Sequence, residues 1–506
     1  MSQLKASTGQ RASLALLCLC LVLGIWQQLG MFTAEPVFPV DDAYITLQNA
    51  NELLGQESVF RGAEKLSGAT SIAHTMLVAA LIFITQNDLL ALSLASMLGA
   101  FVYLVGVSEL VRCYTDRLSF VIVFTVAAAL LADTSHQLAN GLETSWAMAA
   151  VAWSLCLYSR DTQTSTRLLG VLLGAQLFVR PELIALSGLL GALAVWRFYS
   201  VNPDQEAASK FAIRLAGFGL LGAMPFLLAN LLLTGSAIPN TISAKKVYFA
   251  EGCRDVEWKW LNLQQSVGWL FKPQWLMILG LVGLLRNKLG WASLVFVVVF
   301  YAAYFNSFTG ALGHYEGRYQ YLLLPILLLG LVNAVTWLRG FTQPHMDTFA
   351  AVVVLVAAVF FTAPGGFGLA DERRAFTRDH LYPIADWINE NVNEDQHILI
   401  HDVGYVGYAI DKPVLEDLVG LKSPANIKYH EQITWPSCGA ERYLAIGSIF
   451  LESKPDIVVV YDVWDVIFRI TPAYMAMGAE LEPLLRTGQG GYSIYKVSYT
   501  EESPET

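Results

Sequence analysis

Residues 40–50 read VDDAYITLQNA. Two adjacent carboxylates, Asp41 and Asp42, open a stretch of short-helix character directly behind an apolar run at residues 12–30. Like charges on neighbouring residues repel, so the pair implies a nearby cation, hydrogen-bond donors or a catalytic demand. A carboxylate here can deprotonate an acceptor hydroxyl while its neighbour holds a metal or orients a substrate. Alternatively, Asp42 caps the helix AYITLQNANELL and Asp41 is solvated. Spacing alone leaves both readings open.

Working outward, apolar runs fall at 12–30, 72–84, 89–111, 118–133, 143–158, 168–179, 182–198, 211–233, 275–285, 290–308, 320–338 and 347–363. A membrane crossing needs about 20 residues, and runs of about 10–14 are more often re-entrant or interfacial. The 72–84 run is therefore expected as a helix lying in an external loop. With the N-terminus inside, the remaining eleven spans place Arg112, Arg117, Arg160, Arg167, Arg197, Lys210, Arg214, Arg286, Lys288 and Arg339 on the cytoplasmic side, as the positive-inside rule requires. The first run has a basic flank (Lys5, Arg11) but is followed by Trp26, Gln27 and Gln28 and no A-x-A site, so an uncleaved first helix is expected.

Only 15% of the 506 residues are charged and 55% are hydrophobic, against about 25% charged in an ordinary soluble chain. The charge is uneven: residues 364–506 carry 22 acidic and 11 basic side chains, and the rest is nearly neutral. The expected organisation is a helical membrane module, 1–363, and a soluble α/β domain, 364–506, on the external side. External loops are expected at 31–88 and 234–274. In the tail, HILIHD (397–402), DIVVVY (456–461) and the end of GQGGYSIYKV (488–497) have strand character, and DWINEN (386–391) reads as a helix end. The acidic end, Glu501 to Thr506, has the composition of a disordered tail. Neither part is basic enough for nucleic acid. The six cysteines show no metal spacing. Cys253 and Cys438 both fall outside the membrane, where an oxidising compartment permits a disulfide.

Further chemistry-bearing residues fall on the external side. HQLANGLET (136–144) brings His136 and Glu143 to a re-entry point, and an acid at that depth is a functional candidate or a helix-dipole partner. LFVRPEL (177–183) holds Arg180 and Glu182, which can pair with one another. PNTISAKK (239–246) and GHYEGRYQY (313–321) add Lys245, His314 and Arg318. Cations converging on a cavity at the bilayer surface suit a lipid phosphate, whereas singly they suit headgroups.

Taken in order, VDDAYITLQNANELLGQESVF, RGAEKLSGATSIAHTMLVAAL, NGLET, VRPE, PNTISAK, GRY and HDVGYVGYAIDKPVLEDLVGLKSP resemble the GT-C glycosyltransferases. The likeness is to the bacterial arabinofuranosyl- and mannosyl-type branch with a DDAYI or DDAFI first loop. That resemblance implies a catalytic base at Asp41 or Asp42 and a second acidic position at Glu143, with His136 beside it. It implies donor and phosphate contacts from Arg180, Lys245, His314, Arg318 and Tyr44, and a divalent ion (Mg, Mn or Ca) that Asp42 and Glu143 could hold. The donor would be a polyprenyl-phosphate monosaccharide and the acceptor a glycan, lipid or protein, with inversion at the anomeric carbon, at the outer face of the bacterial cytoplasmic membrane. The family's usual EGYTNPLW-like stretch is replaced here by LSGATSIAH, so the sugar contacts of that stretch are not carried over. Asp402 and Asp417 of the tail motif are candidates for an acceptor site or for turns of the domain's own core. The rival readings are a flippase for lipid-linked sugars and a ligase moving a whole glycan; a transporter would favour paired repeats and midplane charges, and neither is seen.

Overall fold

The structure, a computed structural model, describes residues 8–160, 162–237, 239–268, 270, 272–338, 346–412 and 414–499. Arg339 and the acidic end at 501–506 lie outside them. All eleven apolar runs expected to cross are helical, and seven of the described helices are long and apolar enough to span a bilayer: Thr8–Gln28, Asp88–Arg112, Leu183–Val201, Gln205–Thr234, Lys288–Ser307, Arg318–Trp337 and Ala351–Asn391. Helices Leu118–Leu130, Thr144–Arg160, Gln163–Ala175 and Gln274–Leu284 are shorter. The run expected to lie in a loop forms the 14-residue helix Ile72–Thr85, packed against Asp42–Leu53 and Asp88–Arg112.

Small residues let the helices touch backbone to backbone, which is how apolar helices gain contact without a hydrophobic drive between them. A Cβ on Gly174 would lie 1.8 Å from the Gly219 carbonyl oxygen, and one on Gly222 would lie 2.0 Å from that of Val171. Helices Gln163–Ala175 and Gln205–Thr234 are locked together by this means. Large apolar side chains face outward, Leu232 at 83% and Phe83 at 70% exposure among them.

The basic residues assigned to one face gather at one end of the bundle. Arg112 and Arg160 both pair with Glu109, Arg197 donates to the Tyr158 carbonyl at 2.8 Å, and Lys288 sits 3.7 Å from the Trp196 ring. The candidate site residues lie at the other end.

One helical stretch, Ala351–Asn391, carries the chain from the bundle into the C-terminal domain, so the boundary expected at 363/364 falls inside a helix. The domain contains strands β1 (Ile398–Ile400), β2 (Leu415–Asp417), β3 (Ile457–Tyr461), β4 (Ala479–Arg486) and β5 (Tyr492–Tyr499) in the order β2-β1-β3-β5-β4. β1 is parallel to both β2 and β3, whereas β5 runs antiparallel to β3 and β4. β1, β3 and β5 were legible as strands; β2 has three residues and β4 is largely exposed, so neither carries a strong period.

Two loops of the membrane module dock the domain. Phe60 bridges to Leu415, with Arg61 donating to the Leu415 carbonyl at 2.7 Å, so the first loop extends the sheet beyond β2. Lys422, fully buried, pairs with Glu52 at 2.9 Å. Arg442 donates to the carbonyls of Tyr248 and Phe249. Cys253 and Cys438 form a disulfide between the second loop and the domain, with 5.5 Å between their Cα atoms.

Candidate active site

The helix Asp42–Leu53 begins where the chain turns after Val40, and Asp41 occupies its N-cap position in helical conformation, without a side-chain cap bond. The capping alternative for Asp42 is therefore not what the structure shows. Instead the two carboxylates diverge. Asp41 reaches the C-terminal domain and accepts the backbone N–H groups of Gly404 (3.0 Å) and Tyr405 (2.7 Å). The approach is so close that a Cβ on Gly404 would lie 2.2 Å from the Asp41 carbonyl oxygen. Gln48, two turns along the same helix, donates to the carbonyls of Val403 and Gly404, both at 2.6 Å.

Asp42 faces the bundle. Its carboxylate accepts from Arg318 at 2.8 Å and from the Tyr315 hydroxyl at 3.3 Å, and Lys245 is 3.6 Å away. These partners give the two acids opposite character. Burial, then the charge of Asp402, pushes the Asp41 carboxyl up to about 7, against its two backbone donors. Burial would raise Asp42 as well, but Lys245 and Arg318 outweigh it and hold that carboxyl well below the usual range. Burial and the neighbouring Arg318 push His314 down to about 3, so its imidazole is neutral at pH 7 and adds no positive charge.

Two cavities meet at this pair. A small polar recess is lined by Asp42, Glu143, Lys245, Arg318 and the segment Gly68–Ser71, which leads into the Ile72–Thr85 helix. A larger cleft, about 400 Å³, opens between the bundle and the C-terminal domain and is lined by Asp41, Asp42, His314, His401, Asp402, Trp464 and Tyr492 among others. Asp42 lies on both; Asp41 lies on the cleft.

The other candidates are distributed around these cavities. Glu143 borders the recess and pairs with Arg180 at 2.6 Å. Arg180 is buried, is also paired with Glu182 at 2.6 Å, and lies over the Tyr319 ring, whose hydroxyl accepts from Arg318 at 2.8 Å. It stands behind Glu143 as a support, with its charge matched by two carboxylates. His136 is fully buried, 3.7 Å from Glu316. Tyr44 accepts from the Phe38 N–H at 3.0 Å and packs against Tyr405 and Tyr408, tying the first loop to the domain. Asp417 accepts from Val419 and Lys422 within its own turn, whereas Asp402 borders the cleft.

A divalent ion does not fit this donor set well. Among the described residues no three His, Cys, Asp or Glu side chains form a metal cluster. Asp42 and Glu143 share a cavity, but each already has cationic partners, and the ammonium and guanidinium groups supply the positive charge there. A hard cation wants several free oxygen ligands.

The chain has structural relatives among known proteins. It is similar in structure to ArnT from Cupriavidus metallidurans bound to undecaprenyl phosphate, with a TM-score of 0.58 and 12% identity over 97% of this chain and 98% of that one. The apo form of the same ArnT gives 0.55 and 10% over 96% and 98%. The apo oligosaccharyltransferase from Archaeoglobus fulgidus gives 0.50 and 11% over 98% of this chain and 74% of that one. The fold is GT-C. Residues 371–495 match a family described as Domain of unknown function (DUF8728). No curated protein matches the sequence.

Within the GT-C fold, sequence reading missed several residues that shape the site. Tyr315 and Tyr319 were inside the quoted GHYEGRYQY motif, and Thr70 and Ser71 inside LSGATSIAH, so a signal existed. His401 and Tyr492 lie inside the stretches HILIHD and GQGGYSIYKV, read there only as strands, and Trp464 joins them only through the sheet.

Proposed function

We propose that the protein is a glycosyltransferase that moves a monosaccharide from a polyprenyl-phosphate donor to an acceptor hydroxyl at the external face of the bacterial cytoplasmic membrane. The observation that carries this reading is the position of Asp41 and Asp42 where a cationic recess meets an acid-lined cleft. One site suits an anion and the other suits hydroxyl donors, and the two meet at adjacent carboxylates of opposite character. Environments that push two carboxyl groups apart in this way divide the roles of base and stabiliser between them.

In this reading Lys245, Arg318 and the N-terminus of the Ile72–Thr85 helix hold the donor phosphate, with Asp42 keeping both cations in place. An apolar groove of about 500 Å³ between helices Gln163–Ala175, Leu183–Val201 and Gln205–Thr234 suits the prenyl tail. Ser71 of the recess donates to the Phe178 carbonyl at 3.3 Å, next to Leu177 of that groove, so tail and phosphate sites are neighbours. The ArnT structure holding undecaprenyl phosphate supports a donor of this class.

The acceptor hydroxyl enters from the cleft and its oxygen attacks the anomeric carbon as its proton passes to Asp41. The bond from anomeric carbon to phosphate oxygen breaks, and its electron pair leaves on the polyprenyl phosphate. That leaving group needs charge stabilisation more than protonation, which Lys245 and Arg318 provide. Attack from the face opposite the phosphate inverts the anomeric centre. The DDAYI likeness favours an arabinofuranosyl or mannosyl donor.

The test uses purified protein in nanodiscs with a panel of polyprenyl-phosphate monosaccharides. Release of polyprenyl phosphate that disappears in Asp41→Asn establishes the transferase and names the donor. Activity only with a lipid-linked oligosaccharide would make it a ligase. No release, with labelled lipid-linked sugar crossing liposome bilayers, would make it a transporter.

A further inference from the structure

The C-terminal domain has a feature that its docking role does not require. β1 and β3 lie side by side and parallel, and their outgoing connections leave in opposite directions, β1 to β2 at one edge and β3 towards β4 at the other. In sheets of this kind the crevice outside the carboxyl ends of two such strands is where ligands bind, because the diverging connections leave it open. Here those carboxyl ends are His401 and Asp402 after β1, and Tyr461 and Trp464 at and after the end of β3. All four line the cleft that contains Asp41.

The polar groups of this crevice are chiefly acceptors held in place by one another. Asp402 accepts from Trp464 Nε1 at 3.1 Å and from the Tyr492 hydroxyl at 2.7 Å, and is 3.0 Å from His401 Nδ1. A proton on His401 Nδ1 leaves Nε2 as an acceptor, and that atom is buried without a hydrogen-bond partner on a side chain 7% exposed. Asp402 is the acceptor of this group that keeps part of its surface open, with 19% of its side chain exposed. Around it stand flat aromatic faces: Tyr461 stacks on Tyr492 with 4.9 Å between centroids, and Phe376 adds an edge at 5.8 Å from Tyr461.

We propose that this crevice binds the acceptor substrate, and that the acceptor is a carbohydrate. The inference rests on the transferase reading for the word acceptor, and on the crevice alone for the ligand class. A sugar ring presents an apolar C–H face to the aromatic rings and hydroxyl donors to Asp402 and Asp41. Asp41 and Asp402 repel an anion at the strand ends, and the cations that also line the cleft, Lys245 and Arg373, are paired with Asp42 and Glu316. A peptide hydroxyl offers a single donor and no flat apolar face, and a plain acyl chain leaves the acceptors unmatched.

The probes are methyl glycosides (gluco-, galacto- and mannopyranoside and arabinofuranoside) and a serine/threonine peptide. Saturation-transfer NMR reads their binding to the full-length protein in nanodiscs. At least one glycoside is expected to give saturation transfer, lost in Trp464→Ala. Asp402→Asn keeps the side-chain shape and removes the carboxylate acceptor, and is expected to weaken binding about tenfold. No transfer from any glycoside to the unaltered protein overturns the proposal. So does transfer from the peptide alone, or equal binding by both variants. Polyprenyl phosphate release is followed on the same preparation. Glycoside binding without release supports the crevice and sinks the transferase reading, whereas release without glycoside binding overturns the crevice alone.

Discussion

The recess in the membrane module and the cleft under the C-terminal domain share Asp42 and Lys245, yet they differ in what else lines them. In the recess, Lys245 and Arg318 surround Asp42 and make a site for an anion. In the cleft, Asp41, Asp402 and His401 present acceptors among aromatic rings and make a site for hydroxyl donors. Two aspartates one residue apart thus act on different partners because one faces the bundle and the other the sheet domain. Their sequence is identical; their surroundings are not.

The sharpest way to break this comparison is to remove the cleft-side carboxylate. Asp41→Asn is expected to lower kcat about a thousandfold, the range of a lost general base, with little change in donor KM. The same residue sets a pH limb. Its carboxyl titrates at about 7, so the ionised base appears, and kcat/KM rises, as pH increases through that value. The linkage to stability has the opposite sign: the raised folded-state pKa contributes stability present below the unfolded value of about 3.9 and lost as pH rises through about 7. A flat profile between pH 6 and 8 would remove Asp41 as the base.

Gly404→Ala tests the grip rather than the acid. The new Cβ would collide with Asp41 and displace the carboxylate from the Gly404 and Tyr405 N–H groups. A shift of about 1 Å at a reacting group costs about a hundredfold, so kcat should fall by that much while donor binding persists. Unchanged kcat would mean that the contact only docks the domain.

On the recess side, Lys245→Ala is expected to raise donor KM about tenfold, the order of one charge-assisted hydrogen bond, and to leave acceptor KM alone. A change confined to acceptor KM would exchange the roles of the two cavities. The smallest expected effect is that of chelation. With the cations of the recess supplied by side chains, excess EDTA should leave turnover unchanged. A loss restored by Mg or Mn would show that Asp42 and Glu143 hold an ion during the reaction.

Much of this was legible beforehand because membrane sequences are unusually explicit. Every apolar run proved helical, since a chain in lipid must satisfy its backbone hydrogen bonds within each segment. The segregation of Arg112, Arg160, Arg197 and Lys288 from Asp42, Glu143, Lys245 and Arg318 also followed from alternation of the spans. What escaped was anything decided by distance. Arg180 had the right residue type and face for a phosphate, but Glu143 and Glu182 converge on it from both sides. His136 lies seven residues before Glu143 in the chain and beside Glu316 in space. Lys422 and Glu52 form a fully buried pair across 370 residues, with no local mark on either.

The sequence by itself determined that the chain is a helical membrane protein with an α/β tail, and that its candidate site residues fall on one side of the alternating spans. Those properties depend on periodicity, run length and charge placement, which are local and additive along the chain. Only the tertiary structure decided which aspartate is neutralised by cations and which is held by backbone N–H groups, and that two strand ends meet over the second of them. A carboxylate's character depends on what stands within a few ångströms of it, and Gly404, Lys245 and Arg318 reach that distance from segments hundreds of residues apart.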